Sequence, residues 1–187
     1  MNGRALTAEM NAAFSRICDR HYRHLEGLGS SLGDLATIGQ FQTPIGVARL
    51  EMAPDGLFTP SEAGLLAYVQ PVAEWDSDYG VSDIVDLVAW RPSEPSRWWW
   101  RCGTAFALGD GLLDGDEPVP VVGTPLAWLA AGGKALCILD WSILSPIWTD
   151  MRSAPPLIFS DDRLRHRVRN HLIRSAPMPS LELHHAA

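Results

Sequence analysis

Between residues 119 and 174, short apolar segments alternate with patterns typical of helices, and this alternation limits the fold classes that the chain can adopt. Strand-like runs occupy residues 119–122, 135–140 and 156–159, and helix patterns occupy residues 125–131, 142–151 and 161–174. Thr124 and Pro125 stand where an N-cap and a first helical residue are expected. Strands that alternate with helices favour crossover connections and parallel pairing. We therefore expect a C-terminal β-α-β-α-β-α segment within residues 81–183.

The first 80 residues carry other signals. Residues 8–26 predict an amphipathic helix with Thr7 as its N-cap. The other predicted elements of the chain are a hairpin of residues 36–41 and 45–52, a turn at 54–56, a helix at 59–69 with Thr59 as its N-cap, strands at 83–90 and 97–102, and an edge strand at 181–183. The expected fold is α+β, or mixed α/β. It is a single domain over residues 1–187, with a central mixed sheet and an N-terminal helix and hairpin portion at 1–80.

Composition places the chain among globular proteins. Its 187 residues are 47% hydrophobic and 20% charged, far from the composition of disordered chains. Three widely spaced cysteines, Cys18, Cys102 and Cys137, argue against a disulfide framework and for a reducing compartment. There is no signal-peptide pattern, and the longest apolar stretch, residues 135–148, is shorter than the ~20 residues of a membrane span. We expect a cytoplasmic protein with no membrane partner, and the sequence leaves its oligomeric state open.

Charge is distributed unevenly along the chain. The net charge of −7 combines a net of −10 over residues 1–150 with a net of +3 over residues 151–187. No basic residue lies between Arg49 and Arg91, whereas eight acidic residues do. Two surfaces of opposite sign are therefore expected.

The predicted helix at 161–174 carries the most concentrated positive charge. At ~100° per residue, Leu164, Val168 and Leu172 form an apolar stripe, and Ser160 is the expected cap. Arginines flank the stripe: Arg163, Arg167 and Arg174 on one side, and Arg165 and Arg169 on the other. These rows could contact nucleic-acid phosphates. Alternatively, they could pair with the acidic surface of residues 50–90.

The run Arg97-Trp98-Trp99-Trp100-Arg101 is a second candidate. In a strand, Arg97, Trp99 and Arg101 share one face, where a nucleobase could stack between an indole and a guanidinium. The alternative is structural, with Trp98 and Trp100 in the core and Trp99 covered by a neighbouring loop.

Metal and catalytic signals are weak. Cys18, His21 and His24 do not share one helical face, and the acidic loop at 110–117 lacks calcium-loop spacing. Asp83, Asp86 and Asp140 could bind magnesium only if the fold brought them together. No phosphate-binding loop, dinucleotide fingerprint or serine-nucleophile motif is present. We predict no catalytic residue, no metal site and no cofactor.

Residues 80–183 resemble a group of uncharacterised bacterial prophage proteins. The resemblance rests on DLVAW at 86–90, Pro92, Pro95, RWW at 97–99, Arg101, Gly103, Ala105, LG at 108–109, TPLAWL at 124–129 and CILD at 137–140. Members of that group tend to be encoded near phage-type replication genes. The resemblance implies a nucleic-acid setting and no particular activity.

Three functions follow as hypotheses. The first is a non-catalytic accessory protein of a phage or mobile element that binds nucleic acid or a replication protein through its arginine-bearing helices. The second is an interaction protein whose acidic surface binds a basic partner, as a mimic of nucleic acid or an inhibitor. The third is a metal-dependent enzyme acting on phosphates through Asp86 and Asp140.

Overall fold

The computed structural model describes residues 3–40, 42–76 and 81–176, and only the backbone of residues 75, 76, 81 and 82. The helices are α1 Gly3–Phe14, α2 Asp19–Gly27, α3 Leu32–Ile38, α4 Pro125–Ala130, α5 Ile147–Ser153 and α6 Asp162–Arg174. The strands are β1 Gly46–Met52, β2 Phe58–Pro60, β3 Leu65–Asp76, β4 Val81–Arg91, β5 Glu94–Trp100, β6 Ala107–Leu108, β7 Val119–Val122, β8 Leu136–Ile138 and β9 Leu157–Phe159. A 3₁₀ turn covers Asp110–Asp114.

Five strands form an antiparallel sheet in the order β2-β1-β3-β4-β5. Alternate side chains face opposite sides, so each face has its own apolar cluster. Helix α1 covers one face and buries Leu6, Met10 and Ala13 against it. This face includes the ring of Trp99.

The other face of this sheet packs against α2, α3, α4 and part of the second sheet. Tyr68 and Trp90 are cross-strand partners with ring centroids 4.9 Å apart. The Trp90 indole N–H donates to Gln70 Oε1, and Gln70 Nε2 donates to the carbonyl of Pro125 at the start of α4. Because Gln70 is fully buried, these bonds satisfy a polar group that would otherwise be costly inside the core.

The second sheet has four strands in the order β6-β8-β7-β9. Strands β8 and β9 pair with β7 in parallel, while β6 pairs with β8 antiparallel. Helices α5 and α6 bury their apolar sides against its outer face. This sheet therefore positions α6, the arginine-rich helix, at the surface.

The α+β class and the C-terminal alternation are confirmed, with mixed pairing confined to the four-stranded sheet. Strand β7 and helix α4 lie where the sequence predicts them, and Thr124 Oγ1 accepts the N–H of Ala127. The strand predicted at 181–183 lies outside the described residues.

The single helix predicted at 8–26 is wrong, because the chain breaks between α1 and α2. Cys18 has an extended backbone, and its N–H donates to His21 Nδ1, so a new helix starts there. Thr7 lies inside α1 and does not cap it.

The hairpin predicted at 36–41 and 45–52 is half correct. Strand β1 exists, but residues 36–38 belong to α3. Ser31 and Asp34 start that helix with reciprocal bonds: Ser31 Oγ accepts the Asp34 N–H, and an Asp34 carboxylate oxygen accepts the Ser31 N–H.

The helix predicted at 59–69 is also wrong. Thr59, the expected cap, and Pro60 belong to β2, and the Ser61 hydroxyl donates to Glu51 across the sheet, 2.7 Å away. A turn then leads into β3 through Gly64, where a Cβ would overlap the backbone of Leu50.

All three cysteines are free, as expected. Within the described ranges, no helix has the length and apolar character needed to cross a bilayer.

Candidate functional site

Helix α6 begins at an aspartate cap. The Asp161 carboxylate accepts the N–H of Arg163 at 2.9 Å, whereas the sequence predicted Ser160 in this role. Asp162 adds a second negative charge in the first turn, where it complements the helix dipole. Helix α6 therefore starts one residue later than predicted, and its faces are those that the sequence predicts.

The predicted apolar stripe faces the protein interior. Leu164 and Val168 are buried, and Leu172 packs beside them in the cluster beneath α5. The helix is therefore held by its stripe, and the arginines on both flanks are directed toward the surface.

The flanking arginines have different partners. Arg165 pairs with Asp162 one turn earlier at 2.6 Å, an exposed pair of small energetic worth. Arg163, Arg169 and Arg174 are exposed, and no described side chain forms an ion pair or hydrogen bond with their guanidinium groups. These three cations are free to meet a ligand.

Arg167 contacts a cluster of aromatic side chains. Its guanidinium carbon lies 3.6 Å from the centroid of the Trp141 ring, and desolvation lowers its pKa. Trp141 also contacts His171 and Trp148, and the His171 and Trp148 rings are stacked at 5.0 Å. The sequence alone did not predict this aromatic cluster. The spacing of Arg167 and His171 by four residues does place these two side chains on one face of the helix.

Arg152 closes the C-terminal end of α6. Its guanidinium donates to the carbonyl of Leu172 and to the hydroxyl of Ser175, at 3.1 and 2.8 Å. A cation at this end also complements the helix dipole. Arg152 is therefore part of the support for α6.

The alternative in which the arginine rows pair with residues 50–90 is not supported. Within the described chain, the ion pairs of α6 are those that Asp162 makes with Arg165 and His166. The acidic segment has other partners: Glu62 lies 3.6 Å from Arg16, and Asp55 accepts the N–H of Leu57.

Arg97 and Trp99 of β5, and Arg101 directly after it, all have partners within the protein, although Arg97 is exposed. Trp99 is 5% exposed, so its ring faces are not open to a nucleobase, and the Arg97 guanidinium lies 4.7 Å from that ring. Arg101 donates to both carboxylate oxygens of Glu9 in α1, at 2.9 and 3.1 Å. This bidentate pair raises the pKa of Arg101 and fastens α1 to the sheet.

Trp98 and Trp100 lie on the opposite face, against the core between the two sheets. Their indole N–H groups donate to the carbonyls of Leu139 and Ala105. These contacts favour the structural alternative for the tryptophan run.

The Asp86 carboxylate is fully buried and encircled by hydrogen-bond donors. One oxygen accepts the N–H groups of residues 87, 101 and 102, and the other accepts those of residues 104 and 105 and the Thr104 hydroxyl. The lone pairs of Asp86 are thus directed at the backbone.

The other two aspartates lie in different settings: the Asp140 carboxylate accepts the N–H and the hydroxyl of Ser142, and Asp83 is exposed. Among the described residues, no group of three metal-ligating side chains converges.

The residues considered for zinc form a different arrangement. Cys18 Sγ lies 3.4 Å from His21 Nδ1, and the Tyr68 hydroxyl lies 3.4 Å from His24 Nδ1.

The acidic loop at 110–117 begins with the 3₁₀ turn Asp110–Asp114, where burial raises the pKa of Asp110.

Comparisons of the chain with protein-family models, with curated proteins and with solved structures found no match. The geometry of α6 and its surroundings is therefore the basis for assigning a role.

Proposed function

We propose that this chain is a non-catalytic accessory protein of a phage or mobile element that binds nucleic acid through α6. The observation that carries the proposal is the set of exposed guanidinium groups of Arg163, Arg169 and Arg174, which have no acidic partner within the described chain. Arg165, on the same flank as Arg169, is also exposed and can exchange its weak pair with Asp162 for a phosphate.

The spacing of these arginines suits a phosphate backbone. Arg163 and Arg174 are eleven residues apart, which is about 16 Å along a helix. That length covers roughly five phosphate intervals of one DNA strand. Contacts of this kind supply affinity without reading sequence.

The rest of the surface limits the strength of binding. A chain with a net charge of −7 repels a polyanion at long range, so we expect weak binding that declines steeply with salt. The resemblance of residues 80–183 to proteins encoded near replication genes supports this setting. The free thiols Cys18 and Cys102 are compatible with action in the cytoplasm.

The experiment is a salt series of binding to labelled single- and double-stranded DNA, followed by fluorescence anisotropy. The double variant Arg163→Gln/Arg169→Gln should bind more weakly and should reduce the log–log salt slope by about 1.5. Its matched control is Arg4→Gln/Arg23→Gln, which removes two exposed positive charges from other helices. The control should keep the slope of the wild type.

Two outcomes would reject the proposal. The first is no salt-sensitive binding by the wild-type protein at low ionic strength. The second is an equal reduction of the slope in both double variants, because net charge and not α6 would then govern binding.

The competing hypotheses have less support. In the acidic segment, Glu51, Asp55 and Glu62 already contact described residues, which weakens the case for a free acidic binding face. A shared metal site of Asp86 and Asp140 is disfavoured, because the Asp86 oxygens are saturated by N–H and O–H donors.

A further inference from the structure

A groove lies between α2 and the five-stranded sheet, where residues of β1 and β3 form its other wall. It consists of two adjoining hollows of about 320 and 230 Å³, whose linings share Arg20, His21, Val47 and Leu66. Together they have the size of a small-molecule site. The groove is lined by other residues than the proposed DNA surface on α6.

His21 forms part of the wall of both hollows. Its side chain is 9% exposed, and Nδ1 accepts the N–H of Cys18 at 3.2 Å. Because Nδ1 is an acceptor, the proton of the neutral ring is on Nε2. Nε2 is buried and has no hydrogen-bond partner in the described chain. The His21 ring therefore forms part of the groove wall, while its Nε2 lies beneath the accessible surface.

Positive charge lines the smaller hollow. Arg16, Arg20 and Arg49 are among its lining residues, and the Arg49 guanidinium also donates to the Gly64 carbonyl at 3.0 Å. Glu62 is the acid among its described lining residues. Arg16 and Glu62 are 3.6 Å apart, with side chains 54% and 90% exposed, so water screens this pair strongly. The lining therefore carries a net positive charge and favours an anion.

The larger hollow has an apolar wall. Val47, Leu66, Ala67 and Pro92 line it, and Leu66 is 47% exposed although it is a large hydrophobic residue. The Tyr68 hydroxyl donates to the carbonyl of His21 at 3.1 Å and holds α2 at the sheet. An apolar group placed here would cover Leu66 and gain hydrophobic free energy.

We propose that this groove binds a small phosphate ester with an apolar body. The phosphate lies among Arg16, Arg20 and Arg49, which suit its geometry and charge. The apolar body lies on Val47, Leu66 and Pro92, beside the wall that His21 forms. Burial, together with nearby Arg20 and His24, lowers the pKa of His21, which keeps the ring neutral at pH 7.

Binding can be tested by NMR titration of the full chain with phenyl phosphate, and with inorganic phosphate and phenol as its two halves. Phenyl phosphate should bind at least tenfold more tightly than either half, and the backbone signals that move should be those of α2, β1 and β3. A preference for inorganic phosphate alone, or no saturable shift in these elements, would overturn the proposal.

Variants separate the contacts. Leu66→Ala removes part of the apolar wall of the larger hollow, and we expect about a threefold loss of affinity for phenyl phosphate. Arg20→Gln is an exposed change that should cause a loss of about tenfold without affecting folding, while Arg23→Gln, exposed on the same helix, is the control. Equal affinity of Arg20→Gln and Arg23→Gln would contradict the proposal.

The outcome is independent of DNA binding. Arg163→Gln/Arg169→Gln should bind phenyl phosphate as the wild type does, and Arg20→Gln should keep the affinity of the wild type for DNA at matched salt. Loss of phenyl phosphate binding in the α6 double variant would show that the two sites are not separate, and would overturn the groove as a site of its own.

Discussion

The Arg167 guanidinium lies over the Trp141 ring at 3.6 Å, so this arginine joins α6 to the segment that follows β8. Arg163, one turn earlier on the same flank, has no such partner in the described chain. Two arginines of one helical row therefore have different roles: Arg167 supports the helix, and Arg163 is available to a ligand.

This difference predicts different effects of the same substitution. Arg167→Gln should lower the free energy of unfolding by about 0.5–1 kcal/mol, because it removes a partly desolvated cation–π contact. Arg163→Gln should change it by less than about 0.5 kcal/mol, as expected for an exposed residue. Urea unfolding followed by tryptophan fluorescence measures both values. Equal effects of the two substitutions would contradict the assignment of Arg167 to the support of α6.

Asp86 provides a second prediction about stability. Asp86→Ala leaves the backbone N–H groups of residues 87, 102, 104 and 105 without this acceptor, whereas the N–H of Arg101 keeps the Leu87 carbonyl. The chain should therefore lose more than about 4 kcal/mol or fail to fold. Asp86→Asn keeps one oxygen and places an amide N–H₂ against donors, and a loss of about 2–4 kcal/mol is expected. Urea midpoints measure these losses.

The matched control for Asp86 is Asp83→Asn in the same strand. Asp83 is exposed, so its substitution should leave the urea midpoint close to that of the wild type. If Asp86→Asn were as stable as Asp83→Asn, the carboxylate would not be organising the loop between β5 and β6. A role of Asp86 outside folding would then have to be considered again.

The parts of the fold that the sequence predicted correctly depend on local signals. Thr124 and Pro125 cap α4 through contacts within three residues, and the stripe of Leu164 and Val168 follows from helical spacing alone. The false helix at 59–69 had an equally good local signal. Its expected cap, Thr59, lies instead in β2 and pairs with Glu51 of β1, because pairing within the sheet outweighs a cap.

The partners of the candidate site residues depend even more on contacts between residues that are far apart in the sequence. Arg101 and Glu9 are 92 residues apart, and nothing in the strand pattern of the tryptophan run indicates that α1 supplies a carboxylate. Arg167 likewise meets Trp141 only because β8 and α6 lie on one sheet. Sequence periodicity could therefore locate the arginines, while their partners required the tertiary structure.

His21 gives a prediction for the dependence of stability on pH. Burial, followed by the charges of Arg20 and His24, lowers its folded-state pKa below the ordinary value of 6.5. As the pH falls below about 6.5, the unfolded chain therefore takes up a proton at this residue before the folded chain does. The neutral His21 ring therefore contributes to stability fully above pH 6.5, and this contribution is lost as the pH falls toward the folded-state pKa.

The measurement is a set of urea midpoints at pH 7.5, 6.5 and 5.5. The wild type should lose stability across this range, and His21→Asn should lose less, because it has no proton to take up at this position. His166→Asn, an exposed change on α6, is the control for removal of any histidine. Parallel pH profiles for the wild type and His21→Asn would mean that the buried ring of His21 is protonated as readily in the folded chain as in the unfolded one.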